Sequence, residues 1–157
     1  NAIYKLSNRN KIIVCATSVH KIIKIKKIIS KIDIIFLNKA ELIKLTNIDS
    51  IEQGVKKILK INNKIKIIAT NSKNNVIYGD NKSIIKLKPP KIKVKNENGA
   101  GDALAGMMLY LLSKGYNKEQ ILKYSVACGS YYANGNRLSS KKDLIKIKNI
   151  SRRIKLK

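Results

Sequence analysis

A chain of 157 residues with 44% hydrophobic content is long enough to bury a core and has the length of one ordinary domain. Lys and Arg total 34 against 9 Asp and Glu, a formal charge of +25, and such a surplus raises nucleic acid or an anionic membrane as partners. Only Arg9, Arg137, Arg152 and Arg153 are arginines, however, the lysines are scattered through every kind of segment, and Phe36 and the seven tyrosines form no RNA-binding motif, so nucleic acid is not an expected partner.

The longest apolar stretch, residues 103–112, falls far short of the roughly 20 residues that span a bilayer. No apolar signal core stands near Asn1, so the expectation is a soluble, cytoplasmic protein with no membrane partner. Cys15 and Cys128 lie in apolar stretches without metal-ligand or CxxC spacing, which predicts two buried thiols. His20 has no cysteine or carboxylate near it in sequence and receives no role.

Residues 11–16 read as a short buried strand, after which Ile22, Ile23, Ile25, Ile28 and Ile29 recur with helical spacing. Residues 32–37 are a second apolar run of strand length; Asn38 breaks it, and a helical pattern with Leu42, Ile43 and Leu45 follows. Ser50 is placed to cap a helix carrying Ile51, Val55, Ile58 and Leu59, with Asn62 and Asn63 ending it. A third strand is expected over 65–69. Three short β-prone pieces, 76–78, 83–87 and 92–94, are separated by Gly79-Asp80-Asn81 and Pro89-Pro90 and predict antiparallel strands at a sheet edge.

Ala103, Leu104, Met107, Met108, Leu111 and Leu112 then form a nearly all-apolar helix, expected to be buried, with Gly115 supplying a left-handed cap. Asn117 and Gln120 have the spacing of a capping box opening a helix to about Ala133, which Asn134-Gly135-Asn136 breaks. From Ser140 the tail reads as a short helix and a frayed basic end. Strands alternating with helices predict an α/β fold with a mainly parallel sheet covered on both faces, because parallel neighbours need crossover connections.

The stretch with chemical content is Asn98-Gly99-Ala100-Gly101-Asp102-Ala103-Leu104-Ala105-Gly106, between a β-prone piece and the apolar helix. Gly99 and Gly101 permit a tight turn and close approach of a ligand, while the unpaired N–H groups at a helix start point toward an anion placed there. Phosphoryl transfer asks mainly for positioning, charge neutralisation and a base aligned with the attacking hydroxyl. Asp102, in the first turn, is placed for that base, and a helix N-terminus favours its ionised form. A glycine turn with an aspartate cap is also an ordinary structural device, so G-x-G-D alone is a weak motif.

Taken whole, residues 98–106 resemble the C-terminal signature of PfkB-family carbohydrate kinases. The resemblance implies a ribokinase-like fold, Asp102 as catalytic base, and Gly99, Ala100 and Gly101 as the anion hole that binds phosphate. Asn38-Lys39-Ala40-Glu41 by itself is a helix start with an asparagine cap. It follows its strand as the family's asparagine-x-x-glutamate motif does, which implies that Asn38 and Glu41 help organise magnesium, indirectly, and phosphate. Within the family, Thr17-Ser18-Val19-His20-Lys21 and Asn96 are most similar to pseudouridine kinases. Ala127-Cys128-Gly129-Ser130 resembles their small-residue helix lining the adenine, which implies nucleotide contacts at Ala127 and Ser130.

Departures accompany the likeness. Cys15 and Ala16 stand where pseudouridine kinases usually carry aspartate and proline, and Thr70-Asn71-Ser72-Lys73-Asn74-Asn75 replaces a threonine-x-glycine-x-x-glycine turn, leaving the hydroxyls of Thr70 and Ser72 as nucleotide contacts. The resemblance covers residues 11–143 but only the C-terminal half of a family member. Residues 1–157 are therefore expected to be a single partial domain, partnered by a missing N-terminal half or a second subunit that would supply most sugar contacts. The expected reaction is ATP- and magnesium-dependent phosphorylation of the 5′-hydroxyl of a nucleoside, pseudouridine. Ribose, fructose or another nucleoside remains open as substrate, and a degenerate, basic, non-catalytic fragment is the contrasting reading.

Overall fold

In the computed structural model, which describes residues 10–157, the apolar runs become strands and the amphipathic runs become helices. The chain divides into two units, a first running to Ser72 and including Ile77–Ile85, and a second of Lys73–Val76 and Lys86–Lys157.

The first unit holds strands β1 (Ile13–Cys15), β2 (Ile34–Asn38) and β3 (Lys66–Asn71). They pair in parallel, with Ile13 opposite Ile34 and Asn38 opposite Thr70. Successive side chains of a strand point to opposite faces. Ile35 and Leu37 of β2 and Ile67 and Ala69 of β3 accordingly share one core with Leu42, Val55 and Ile58 from the helices α1 (Lys39–Thr46) and α2 (Ile51–Ile61). Residues 34–37 are buried on both faces, as strands of a parallel sheet are.

The isoleucine-rich segment after β1 is a 3₁₀ helix, Ile22–Lys31, rather than the expected α-helix. Ile22, Ile25 and Ile28 turn toward the core at a spacing of three, joined by buried Ile29, while Ile23 is left 43% exposed. That spacing suits three residues per turn, and β-branched side chains lose rotamer freedom in an α-helix. Asn62, which ends α2, closes this region, its Nδ2 donating to the carbonyls of Ile29 and Ile32 at 2.9 Å each.

Strands β4 (Asn75–Gly79) and β5 (Ile84–Lys88) continue the sheet, and their short connections admit only antiparallel neighbours. The turn between them is built on Asp80, whose Oδ1 accepts from the N–H groups of Lys82 and Ser83. Gly79 is required by packing, since a Cβ there would lie 2.5 Å from Val55 Cγ1.

The second unit contains α3 (Ala100–Ser113), α4 (Lys118–Ala133), α5 (Lys141–Ser151) and β6 (Lys155–Leu156). Three sequence expectations are corrected here. Residues 92–94 form no strand: Pro89 and Pro90 lack donors, and the hydrogen bonds of the segment that follows go to the end of α4. The C-terminus is not frayed, because β6 pairs antiparallel with β5, Leu87 opposite Leu156, and Ile154 is buried. Helix α3 is not buried all round, since Asp102, Gly106 and Tyr110 leave a strip exposed along it.

Helix α5 is secured at its start by Asp143, which is 8% exposed. It accepts from the Tyr131 hydroxyl at 2.7 Å, from the Ser140 hydroxyl at 2.8 Å and from the amides of Ser139 and Ser140. The Tyr131 bond first, then those from Ser140 and Ser139, hold its carboxyl well below the usual carboxylate range. Together β1 to β6 make one mixed sheet in chain order, in line with the α/β expectation. Among the described residues no helix is long and apolar enough to cross a membrane.

Candidate active site

The glycine bend opens α3. Asn98 donates its N–H to Asn96 Oδ1 at 2.9 Å, turning the chain back, and Gly99 follows as the helix N-cap at φ 78°, ψ −3°. That left-handed backbone is one glycine adopts without penalty. Ala100 N–H donates to Glu97 O and Ala103 N–H to Gly99 O. Between them, Gly101 and Asp102 occupy the first turn, where a helix supplies no acceptor for its own amides. A Cβ on Gly99 or on Gly101 would meet nothing within 4 Å, so at both positions the backbone borders open space that a side chain would fill. Asp102 is exposed. Polar amides, open space and an accessible carboxylate therefore meet at one helix start.

Helix α4 backs this turn. A Cβ on Gly129 would lie 3.0 Å from the Ala100 carbonyl oxygen and 3.2 Å from Leu104 Cβ. Of the other residues assigned to this helix, Ala127 is fully buried and Ser130 is 8% exposed, so each offers a ligand packing support more than an open edge. Cys128 is buried, and burial pushes its thiol up to about 11. Cys15, expected to be buried as well, is exposed: it lies on β1 at one end of the strand order, where Ile12, Val14 and Ala16 take the core-facing positions.

In the first unit Asn38 and Thr70 are brought face to face across β2 and β3. They mark the carboxyl ends of parallel strands, where open α/β sheets place ligands. Ser72 follows at φ 46°, so this serine keeps the left-handed backbone that glycine favours, at the position where the resemblance leads one to expect glycine. Asn38 and Glu41 form a capping box, Glu41 N–H donating to Asn38 Oδ1 at 2.9 Å and Asn38 N–H to Glu41 Oε2 at 2.8 Å. Glu41 is 3% exposed, and both of those oxygens already serve the helix start.

Among the described residues no cluster of three or more His, Cys, Asp or Glu is assembled to hold a metal. Magnesium retains several waters and is commonly held by one or two carboxylates together with substrate phosphates, so these residues fit an indirect role toward a phosphate-borne ion. The sequence reading missed Gly129 as a packing residue. Its signal was a glycine in the interior of a helix, which points to close approach of another backbone.

Strands leading at their carboxyl ends into polar turns, and a separate helix start with open amides and a carboxylate, define an α/β protein suited to an anionic ligand. Residues 3–136 match the family described as pfkB family carbohydrate kinase, and the chain belongs to that family. A curated relative, the ATP-dependent 6-phosphofructokinase isozyme 2 of Escherichia coli (strain K12), is 27% identical over 105 residues, which are 66% of this chain and 34% of that protein.

Three solved structures share the ribokinase-like fold. A candidate sugar kinase from Clostridium perfringens has a TM-score of 0.83 at 18% identity, over 99% of this chain and 51% of that one. A candidate ribokinase II from E. coli in complex with ATP and Mg has 0.77 at 17% identity, over 97% and 51%. Adenosine kinase from Schistosoma mansoni in complex with 2-fluoroadenosine has 0.75 at 21% identity, over 90% and 48%. The chain thus spans a third of the curated relative and about half of each solved one.

Proposed function

We propose that the protein carrying this chain transfers the γ-phosphoryl group of ATP to a hydroxyl of a sugar or nucleoside. The observation that carries the reading is the open bend at Gly99 and Gly101 with exposed Asp102 in the first turn, in a chain of the pfkB family. Asp102 takes the proton of the acceptor hydroxyl as its oxygen forms a bond to the γ-phosphorus and the bond to the leaving ADP oxygen breaks. The amides of Gly99 and Gly101 stabilise the charge on the migrating group, the largest contribution a fixed protein environment makes to such a step, while Ala100, whose N–H is held by Glu97 O, shapes the anion hole.

In the first unit Asn38 and Glu41 serve the phosphates and their magnesium through water, and Thr70 and Ser72 offer hydroxyls to the nucleotide; in the second unit Ala127 and Ser130 give the nucleotide packing support. Magnesium, when bound, neutralises phosphate charge. The names of the adenosine kinase and the phosphofructokinase support nucleoside and phosphosugar acceptors equally well. Within that class our specific candidate is the 5′-hydroxyl of pseudouridine, on the residues 17–21 and Asn96; a missing N-terminal half or a second subunit would supply most acceptor contacts.

The test is ATP-dependent phosphorylation by the chain, alone and combined with an N-terminal half or second subunit that completes it, across sugars, phosphosugars and nucleosides including pseudouridine. Asp102→Asn is expected to abolish turnover and to leave nucleotide affinity within about threefold, because a group acting in the transition state contributes little to ground-state binding. Turnover by that variant equal to the parent's sinks the assignment of the base. Salt-sensitive RNA binding without any stabilisation by ATP and magnesium would favour a non-catalytic role instead.

A further inference from the structure

Gly129 stands in the interior of α4, where glycine is the least favourable residue after proline. Its surroundings supply the reason for it. A side chain there would press at 3.0 Å on the Ala100 carbonyl oxygen, which is backbone and cannot swing aside, and at 3.2 Å on Leu104 Cβ. One turn further along, the last residue of the same helix grips the chain entering the bend: Ala133 O accepts from the N–H groups of Lys95 at 2.8 Å and Asn96 at 3.1 Å. Asn134 Nδ2 adds a bond to Lys93 O at 2.8 Å. The strand of chain before the glycine bend and the helix turn after it are therefore both seated on α4.

We infer that Gly129 is a positioning residue for phosphoryl transfer, an inference that rests on the kinase reading above. By letting α4 close onto the Ala100 carbonyl, it fixes the direction of the first-turn amides and of the Asp102 carboxylate. An alanine at 129 forces the Ala100 turn to give by a few tenths of an ångström. Donors to a migrating phosphate work within a narrow distance range, and misplacements approaching 1 Å lower rates by about 10²-fold. The loss falls chiefly on kcat, because misaligning an interaction made in the transition state lowers kcat more than it raises KM.

The experiment compares Gly129→Ala, Asn134→Ala and Val55→Ala in the complete protein. Val55→Ala truncates a buried side chain of the first unit and serves as a variant with lowered stability and an untouched bend. Gly129→Ala is expected to lower kcat at least about tenfold with KM for ATP within about twofold, while Val55→Ala, melting lower than the parent, keeps its kcat. If folded Gly129→Ala turns over within twofold of the parent, the inference is overturned.

Should Gly129→Ala fail to fold, Asn134→Ala, which loosens the same grip from a half-buried side chain, is expected to lower kcat about threefold; an unchanged kcat overturns the inference equally. The ¹⁵N–¹H signals of Gly101 and Asp102 give a readout independent of turnover: Gly129→Ala moves them and Val55→Ala does not. A parent inactive toward every acceptor, with those signals moved, defeats the kinase reading and leaves the packing role standing; unmoved signals defeat the positioning role itself.

Discussion

Replacing Gly101 with alanine separates what the bend does for folding from what it does for a ligand. Gly101 is the second residue of α3 with an ordinary right-handed backbone, and a Cβ there meets no atom within 4 Å. Alanine is favoured over glycine by about 0.5–1 kcal/mol in a helix, chiefly because it restricts the unfolded chain. The low end, about 0.5 kcal/mol, applies in a first turn, and for a chain of this size that corresponds to a Tm rise of about 1–2 °C.

The same methyl group occupies the space a phosphate needs beside the amides, and loss of one such donor contact lowers turnover by about 10²-fold. Gly99→Ala provides the opposite sign on stability: its surroundings are equally open, but φ 78° is a left-handed backbone that disfavours alanine by about 1 kcal/mol. Differential scanning calorimetry and a coupled ADP-release assay on both variants read the two effects. A Gly101→Ala protein that melts below the parent, or that turns over as fast, refutes the reasoning that this glycine serves a ligand and not the helix.

Asn62→Ala strips the donor from two buried carbonyls, Ile29 O and Ile32 O, and is expected to destabilise the fold by about 2 kcal/mol in urea titration; a change under a quarter of that would refute the account of how the 3₁₀ helix is closed. Asp143, whose folded-state pKa is depressed chiefly by the Tyr131 hydroxyl, contributes stability that is complete above the unfolded carboxyl value near 3.9 and is lost as pH falls from there toward the folded value. Tyr131→Phe therefore flattens the fall of Tm between about pH 5 and pH 2, and an acid limb as steep as the parent's contradicts the assignment. At pH 8 a thiol reagent is expected to modify exposed Cys15 in the native protein and buried Cys128, with its thiol pushed up to about 11, only after unfolding; native modification of both counts against the packing of α4.

Much of this protein is local, and what is local is legible in the sequence. Asn38, Ser50, Asn117 and Ser140 cap helices through bonds to residues three positions on, and Gly99 and Gly115 turn the chain where left-handed backbone is needed. The turn at Gly99 to Asp102 is legible for the same reason, since its left-handed start is set by Gly99 itself, whereas its seat on α4 is not.

What the sequence alone left undecided depends on partners distant along the chain. The strand read at 92–94 gave way because Lys93, Lys95 and Asn96 bond to Ala133 and Asn134, some forty residues later. The tail read as frayed is a strand because Leu87 and Lys88 offer it a sheet edge. Gly129 reads in the sequence as one of the small residues of a stretch likened to an adenine-lining helix, and only the fold sets the Ala100 carbonyl against it. Side-chain type and near spacing fix capping, turning and periodicity, because these arise from the chain's own stereochemistry. Which backbone surfaces meet is set by packing among all the elements at once, and only the tertiary structure settles it.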